Sequence, residues 1–269
     1  MTARDHITAG IGWREHQGDG PALMALHGIG SEARAFDAVA EALPGWRVIA
    51  WEAPGYGPST PLAMEWPTAA DYADALARLL DALSLPQVHL LGHSLGTLIG
   101  AAFARAHPQR VCTLTLASCA QGGGAQPGTL PAKQAARLDD LAALGASEFA
   151  RTRAPRLIFQ PDQNPALVAA VTDGMSKIRM PGYAQAVRML ASGDLAADCA
   201  ALTVPSAVVV GAEDIVTPPV QSQTAHAALP AAIRGAFTLI PGAGHALHQQ
   251  APAALAAAIR AQAHQGVTP

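Results

Sequence analysis

The sequence predicts one α/β domain, a mostly parallel sheet with helices on both faces, interrupted by a helical insertion. Three observations carry this. Short apolar runs bounded by turn residues alternate with helix-period segments. One of those runs, Val88 to Leu91, enters Gly92-His93-Ser94-Leu95-Gly96 and leaves directly into a small-residue helical pattern. And from Gln121 to about Ala197 helical patterns follow one another with no strand between them.

In chain order, Ile7 to Glu15 reads as a first strand with a bend at Gly10 or Gly12, followed by the turn Gln17-Gly18-Asp19-Gly20-Pro21. Ala22 to Leu26 is a buried strand that stops at His27-Gly28-Ile29-Gly30. Ser31 to Leu43 has a helical face of Phe36, Val39, Ala40 and Leu43, and Trp46 to Trp51 is the next strand. A proline- and glycine-forced turn begins at Glu52, whose carboxylate suits a hydrogen bond to local backbone better than catalysis. Thr68 to Leu83 is an amphipathic helix leading into the Val88 strand, and His107-Pro108 ends the helix after the Gly92 turn. Val111 to Leu116 is a strand, after which the glycine-rich exit at Gln121 opens the insertion.

Within the insertion, helical patterns cover 130–144, 147–152, 165–177 and 182–191. This gives a core of residues 1–120 and 198–269 around a cap of residues 121–197, placed to cover the mouth of a Ser94 site. Arg151, Arg153, Arg156, Lys177, Arg179 and Arg188 make the cap basic in a chain of formal charge -3. Most of them suit solvated helix faces, while one or two facing inward would select an anionic substrate. Strand patterns return at Ala207 to Val210 and Ala236 to Ile240, and a helix over 251–263 closes the chain.

Composition narrows the function. At 269 residues and 50% hydrophobic the chain can bury a large core, and no apolar run is long enough to cross a bilayer. A pI near 6.3 leaves no basic stripe for nucleic acid. The N-terminus carries no apolar signal region, so the expectation is a cytoplasmic protein acting on a small molecule, with oligomeric state open. Cys112, Cys119 and Cys199 are an odd number without metal-like spacing and read as buried apolar residues.

The chemistry-bearing motifs are four. The Gly92–Gly96 turn places Ser94 at a strained strand-to-helix corner, with glycines where neighbouring chain comes close. The His27-Gly28-Ile29-Gly30 loop offers the Ile29 amide as one oxyanion donor, the Leu95 amide being the other, and His27 is read as ordering that loop. Gly211-Ala212-Glu213-Asp214 follows a strand, and its place in the turn favours Asp214 over Glu213 as the orienting acid. Pro241-Gly242-Ala243-Gly244-His245 sets His245, ahead of its rival His248, as the base.

With the order serine, aspartate, histidine, the chain resembles the α/β-hydrolase-fold enzymes over essentially its whole length. The resemblance implies a helical cap inserted after the sixth strand and acyl transfer to water through Ser94, Asp214 and His245, with no metal or organic cofactor. The run Gly211 to Pro219 resembles the 3-oxoadipate enol-lactonase group, pointing to a small ester or lactone, an acidic enol-lactone among them. Dehalogenases and epoxide hydrolases carry aspartate where this chain has Ser94. The carbon–carbon hydrolases of ring-cleavage products are an alternative, although their elbow carries asparagine where His93 stands. From another class, the fold also serves non-hydrolytic lyases and ligand-binding proteins.

Overall fold

The computed structural model describes residues 3–265, and its sheet has eight strands in the order β1-β2-β4-β3-β5-β6-β7-β8. The stretch expected to be one bent strand is a hairpin, β1 (Arg4–Thr8) and β2 (Ile11–His16). Ala9 and Gly10 have φ of 51° and 76°, and two successive positive-φ residues reverse the chain where a bend was expected. β2 also pairs antiparallel with β4 (Arg47–Trp51). All other neighbours are parallel: β3 (Ala22–Leu26), β4, β5 (Val88–His93), β6 (Val111–Ala117), β7 (Ser206–Gly211) and β8 (Arg234–Ile240). Because the first stretch is two strands, β6 is the sixth, and the helical insertion leaves the sheet from its end.

The parallel strands are buried on both faces, which explains their continuous apolar runs. Alternation within β3 divides the core: Leu23 and Ala25 face one cluster, Met24 and Leu26 the other. The first is covered by α1 (Asp37–Glu41), reached through a 3-10 turn at Ala33–Phe36 that breaks the helix expected over 31–43. The second is covered by α2 (Ala69–Ala82) and α3 (Leu95–Ala106), whose Leu76, Leu79, Leu98 and Phe103 are fully buried. The Asp71 carboxylate accepts the Thr68 N–H at 2.7 Å and so closes the first turn of α2.

The insertion contains α4 (Ala132–Arg153), bent at Gly145 where φ is 70°, then α5 (Pro165–Ser176) and α6 (Gly182–Ser192). Its two ends run side by side. Leu195 N–H donates to Gln121 O, Gly124 N–H to Gly193 O and Ala125 N–H to Ala191 O, each at 2.9–3.0 Å. A short helix, α7 (Leu195–Ala200), crosses the position expected for the end of the insertion. After β7 comes α8 (Pro219–Ala228), which the sequence pattern did not announce. Then α9 (Leu247–Gln250) and α10 (Pro252–Gln265) pack on the α1 face through Leu247, Leu255 and Ile259. Among the described residues no helix is long and apolar enough to cross a membrane. The three cysteines are free thiols, with Cys119 and Cys199 buried.

Candidate active site

Ser94 stands between β5 and α3 with φ 52° and ψ −114°, a left-handed conformation that a side-chain-bearing residue holds only when its surroundings over-determine it. The surroundings do so through glycines. A Cβ on Gly96 would lie 2.2 Å from Leu26 O, and one on Gly92 would lie 2.4 Å from Gly96 O. The turn therefore sits against the end of β3, and the loop that follows β3 passes beside the serine: a Cβ on Gly28 would lie 3.0 Å from Ser94 Cβ.

Asp214 and His245 reach the same point from the turns after β7 and β8. His245 Nδ1 is 2.9 Å from Asp214 Oδ2, and His245 Nε2 is 3.0 Å from Ser94 Oγ. The three side chains are buried, at 5%, 2% and 4% exposure for Ser94, Asp214 and His245. Burial alone would push the Asp214 carboxyl up. The bond to His245 and the amides of Thr217 and Val216 outweigh it and bring the carboxyl down to about 2. The carboxylate therefore stays ionised and holds a hydrogen on Nδ1, which leaves a lone pair on Nε2 for the serine hydroxyl.

Thr217, which sequence reasoning passed over, completes this arrangement. Its hydroxyl lies 2.9 Å from Asp214 Oδ2, 3.1 Å from His245 Nδ1 and 3.1 Å from Ser118 O. Asp214 Oδ1 accepts the Val216 and Thr217 N–H groups, both at 2.9 Å. Every Asp214 oxygen is thus engaged, a pattern whose only trace in the sequence is a threonine three residues past an aspartate. Glu213 points elsewhere, its carboxylate accepting the Ala243 N–H at 3.1 Å.

The Ile29 and Leu95 amides donate to no other protein group among the described residues, and Ile29 borders the same chamber as Ser94 and His245. The loop carrying Ile29 is fixed from behind. His27 donates from Nδ1 to Gly28 O at 2.8 Å and accepts the Ala53 N–H at Nε2 at 3.0 Å, while Gly30 N–H donates to the Tyr56 hydroxyl at 3.3 Å. Burial lowers His27 to about 4, which keeps its ring in the neutral form that both bonds require. Glu52 accepts a backbone N–H, though not the local one its turn position suggested: the donor is Ala33, nineteen residues earlier, at 3.1 Å, and burial pushes the Glu52 carboxyl up to about 7.

His93 and His248 pack their rings 4.1 Å apart beneath His245. His93 donates from Nε2 to His245 O at 2.8 Å, so it fixes the backbone of the candidate base, and burial lowers it to about 3. His248 makes no bond to Ser94 or Asp214 among the described residues; its Nε2 lies 3.4 Å from Gln249 Nε2.

Ser94, Ile29 and His245 border a chamber of about 420 Å³ that is also lined by residues of the insertion. Of the six basic insertion residues singled out in the sequence, Arg153 and Arg156 border it. Arg151 pairs with Glu148, Lys177 with Asp173 and Glu32, Arg188 with Glu65, and Arg179 donates to Gly57 O. Lys133 and Arg137 also border the chamber and were not singled out. Among the described residues no group of three or more histidine, cysteine, aspartate or glutamate side chains is arranged to hold a metal ion.

The profile of the alpha/beta hydrolase fold family matches residues 21–252. A 2-hydroxy-6-oxononadienedioate/2-hydroxy-6-oxononatrienedioate hydrolase of Dechloromonas aromatica is 37% identical over 109 residues, covering 39% of this chain and 38% of that protein. The aligned part thus spans well under half of that relative. A 3-oxoadipate enol-lactonase of Acinetobacter baylyi is 25% identical over 198 residues, 73% of each chain. Among solved structures, a thermophilic esterase of Thermogutta terrifontis superposes over 100% of both chains with a TM-score of 0.84 at 24% identity, a likeness of fold.

Proposed function

The chain belongs to the alpha/beta hydrolase fold family, and from that premise we propose that it is a serine hydrolase cleaving a small carboxylic ester or lactone through an acyl-enzyme on Ser94. The observation that carries this is the unbroken sequence of hydrogen bonds from Asp214 through His245 to Ser94, at 2.9 and 3.0 Å. Ser94 Oγ attacks the carbonyl carbon while its proton passes to His245 Nε2. Asp214 stabilises the imidazolium, and the Ile29 and Leu95 amides receive the charge that develops on the carbonyl oxygen. The proton then moves to the leaving oxygen. In the second half, water gives a proton to His245 Nε2 and its oxygen to the acyl carbon, and the bond to Oγ breaks with return of the proton to Ser94.

The lactone reading, an acidic enol-lactone included, draws support from the likeness to the Acinetobacter enol-lactonase and from the basic chamber wall. Carbon–carbon hydrolysis of a ring-cleavage product is the second reading, favoured by the Dechloromonas relative. An alcohol or enolate leaving group needs only the proton on His245, whereas a carbon leaving group must first be protonated at carbon. Turnover of p-nitrophenyl esters and five-membered enol-lactones tests the first reading. Wild type cleaves them and Ser94→Ala loses at least about 10³-fold in kcat; a variant retaining wild-type turnover overturns it.

A further inference from the structure

The charges on the chamber wall do not balance. Lys133, Arg137, Arg153 and Arg156 border it with one carboxylate, Asp140, which is bound to Arg153 at 2.7 Å. Lys133, Arg137 and Arg156 have no carboxylate within 4.0 Å among the described residues, so the wall keeps an excess of positive charge in a chain of net charge -3. The same chamber has apolar lining from Ile29, which follows the Gly28 that lies beside Ser94, from Met175 against Gly30 and from Leu157 against Gly244, with Gln121, Gln134, Thr217 and Gln221 also on its wall. A ligand that suits both regions has hydrocarbon at the reacting end and an anion beyond it.

Arg137 differs from the other two cations in how it is held. Its Nε donates to the Tyr183 hydroxyl at 2.6 Å, and its Cζ lies 5.9 Å from the centre of the Tyr183 ring. Tyr183 is itself 1% exposed and wedged against Phe149, with centroids 5.7 Å apart, and against Gly30 of the loop after β3. A guanidinium bound through Nε keeps its two Nη groups side by side, the spacing of the two oxygens of a carboxylate. Because Tyr183 has already taken up the side-chain freedom of Arg137, an anion binding there loses less entropy than one captured by the exposed Lys133 or Arg156.

We propose that Arg137, locked by Tyr183, is the specificity-determining residue for a substrate whose acyl part ends in a carboxylate. The proposal rests on acyl transfer at Ser94, and its test separates the two. Mono-p-nitrophenyl glutarate and p-nitrophenyl valerate share a five-carbon acyl chain and differ in the terminal carboxylate. Wild type is expected to favour the glutarate ester in kcat/KM by about tenfold or more, a preference that shrinks with added salt. Arg137→Met lowers the glutarate value about 10- to 100-fold and leaves valerate within threefold, which also shows that the variant is folded. Tyr183→Phe keeps the ring against Gly30 and lowers the glutarate value by a smaller factor. Equal loss on both esters in Arg137→Met, or no preference in wild type, overturns the proposal. If neither ester is cleaved in a Ser94-dependent way, it is the acyl-transfer reading that fails. Calorimetric binding of glutarate to Ser94→Ala protein then still reads the anion site: affinity lost on adding Arg137→Met supports it, and unchanged affinity overturns it.

Discussion

Replacing Asp214 by asparagine tests whether the carboxylate sets the tautomer of His245 or merely fills space. In most sites an asparagine could present either its oxygen or its nitrogen to the imidazole. Here the choice is fixed. The Oδ1 position receives two backbone N–H groups at 2.9 Å, from Val216 and Thr217, and only an oxygen can accept them. The amide nitrogen must then occupy the Oδ2 position, 2.9 Å from His245 Nδ1 and 2.9 Å from the Thr217 hydroxyl. An N–H aimed at Nδ1 makes that nitrogen the acceptor, the ring proton moves to Nε2, and Nε2 can no longer take the proton of Ser94. The wrong tautomer in a serine hydrolase site lowers kcat by about 10⁴, which is about 5.4 kcal/mol of transition-state stabilisation. The fold should be little affected, since the Val216 and Thr217 N–H groups keep an oxygen acceptor and the Thr217 hydroxyl keeps Ser118 O. The assay is kcat on a p-nitrophenyl ester together with the urea unfolding midpoint. An Asp214→Asn protein that unfolds like wild type yet retains more than about a tenth of its kcat would refute the tautomer argument.

Two further predictions concern the frame of the site. Gly96→Ala drives a methyl to 2.2 Å from Leu26 O and should cost about 3–5 kcal/mol in urea unfolding. Gly100→Ala on the same helix meets nothing nearer than Leu114 Cδ1 at 3.3 Å and should stay within about 1 kcal/mol of wild type; equal losses would refute the close-approach reading. Acidification is the second. His27 and His93 are lowered by burial to about 4 and about 3, and His248 is also well below its ordinary value of 6.5. The unfolded chain binds protons near pH 6.5 that the folded chain refuses, so the stability is complete above 6.5 and is lost as pH falls toward 4. Each imidazole contributes a slope of about 1.4 kcal/mol per pH unit. Glu52, raised by burial from 4.5 to about 7, works in the opposite sense and offsets one of them. Denaturant titrations should therefore show stability falling by about 2–3 kcal/mol per unit between pH 6 and 4.5, and a flat profile would contradict it.

What the sequence by itself determined is what depends on local backbone physics. The Gly92–Gly96 turn between an apolar run and a small-residue helix, the parallel strands buried on both faces, and the strand-free insertion are each carried by patterns within a continuous stretch of chain. The failures were also local. The β1–β2 hairpin was hidden because the chain reverses at Ala9-Gly10, a pair with no strong turn signature, and α8 was hidden because Gln221, Ser222 and Gln223 follow its opening prolines without an apolar stripe.

Only the tertiary structure decided which side chains meet. Ser94, Asp214 and His245 were named from their motifs, but their distances depend on the parallel register that brings the ends of β5, β7 and β8 level. The Thr217 hydroxyl, the tilted ring pair His93 and His248 beside His245, and the anchoring of Arg137 on Tyr183 had no sequence signal of their own. A cation on a helix looks the same in sequence whether it faces water or a chamber. Its direction is set by the packing of the insertion on Gly30 and by the bend of α4 at Gly145, contacts between segments more than a hundred residues apart in the first case and a single backbone angle in the second.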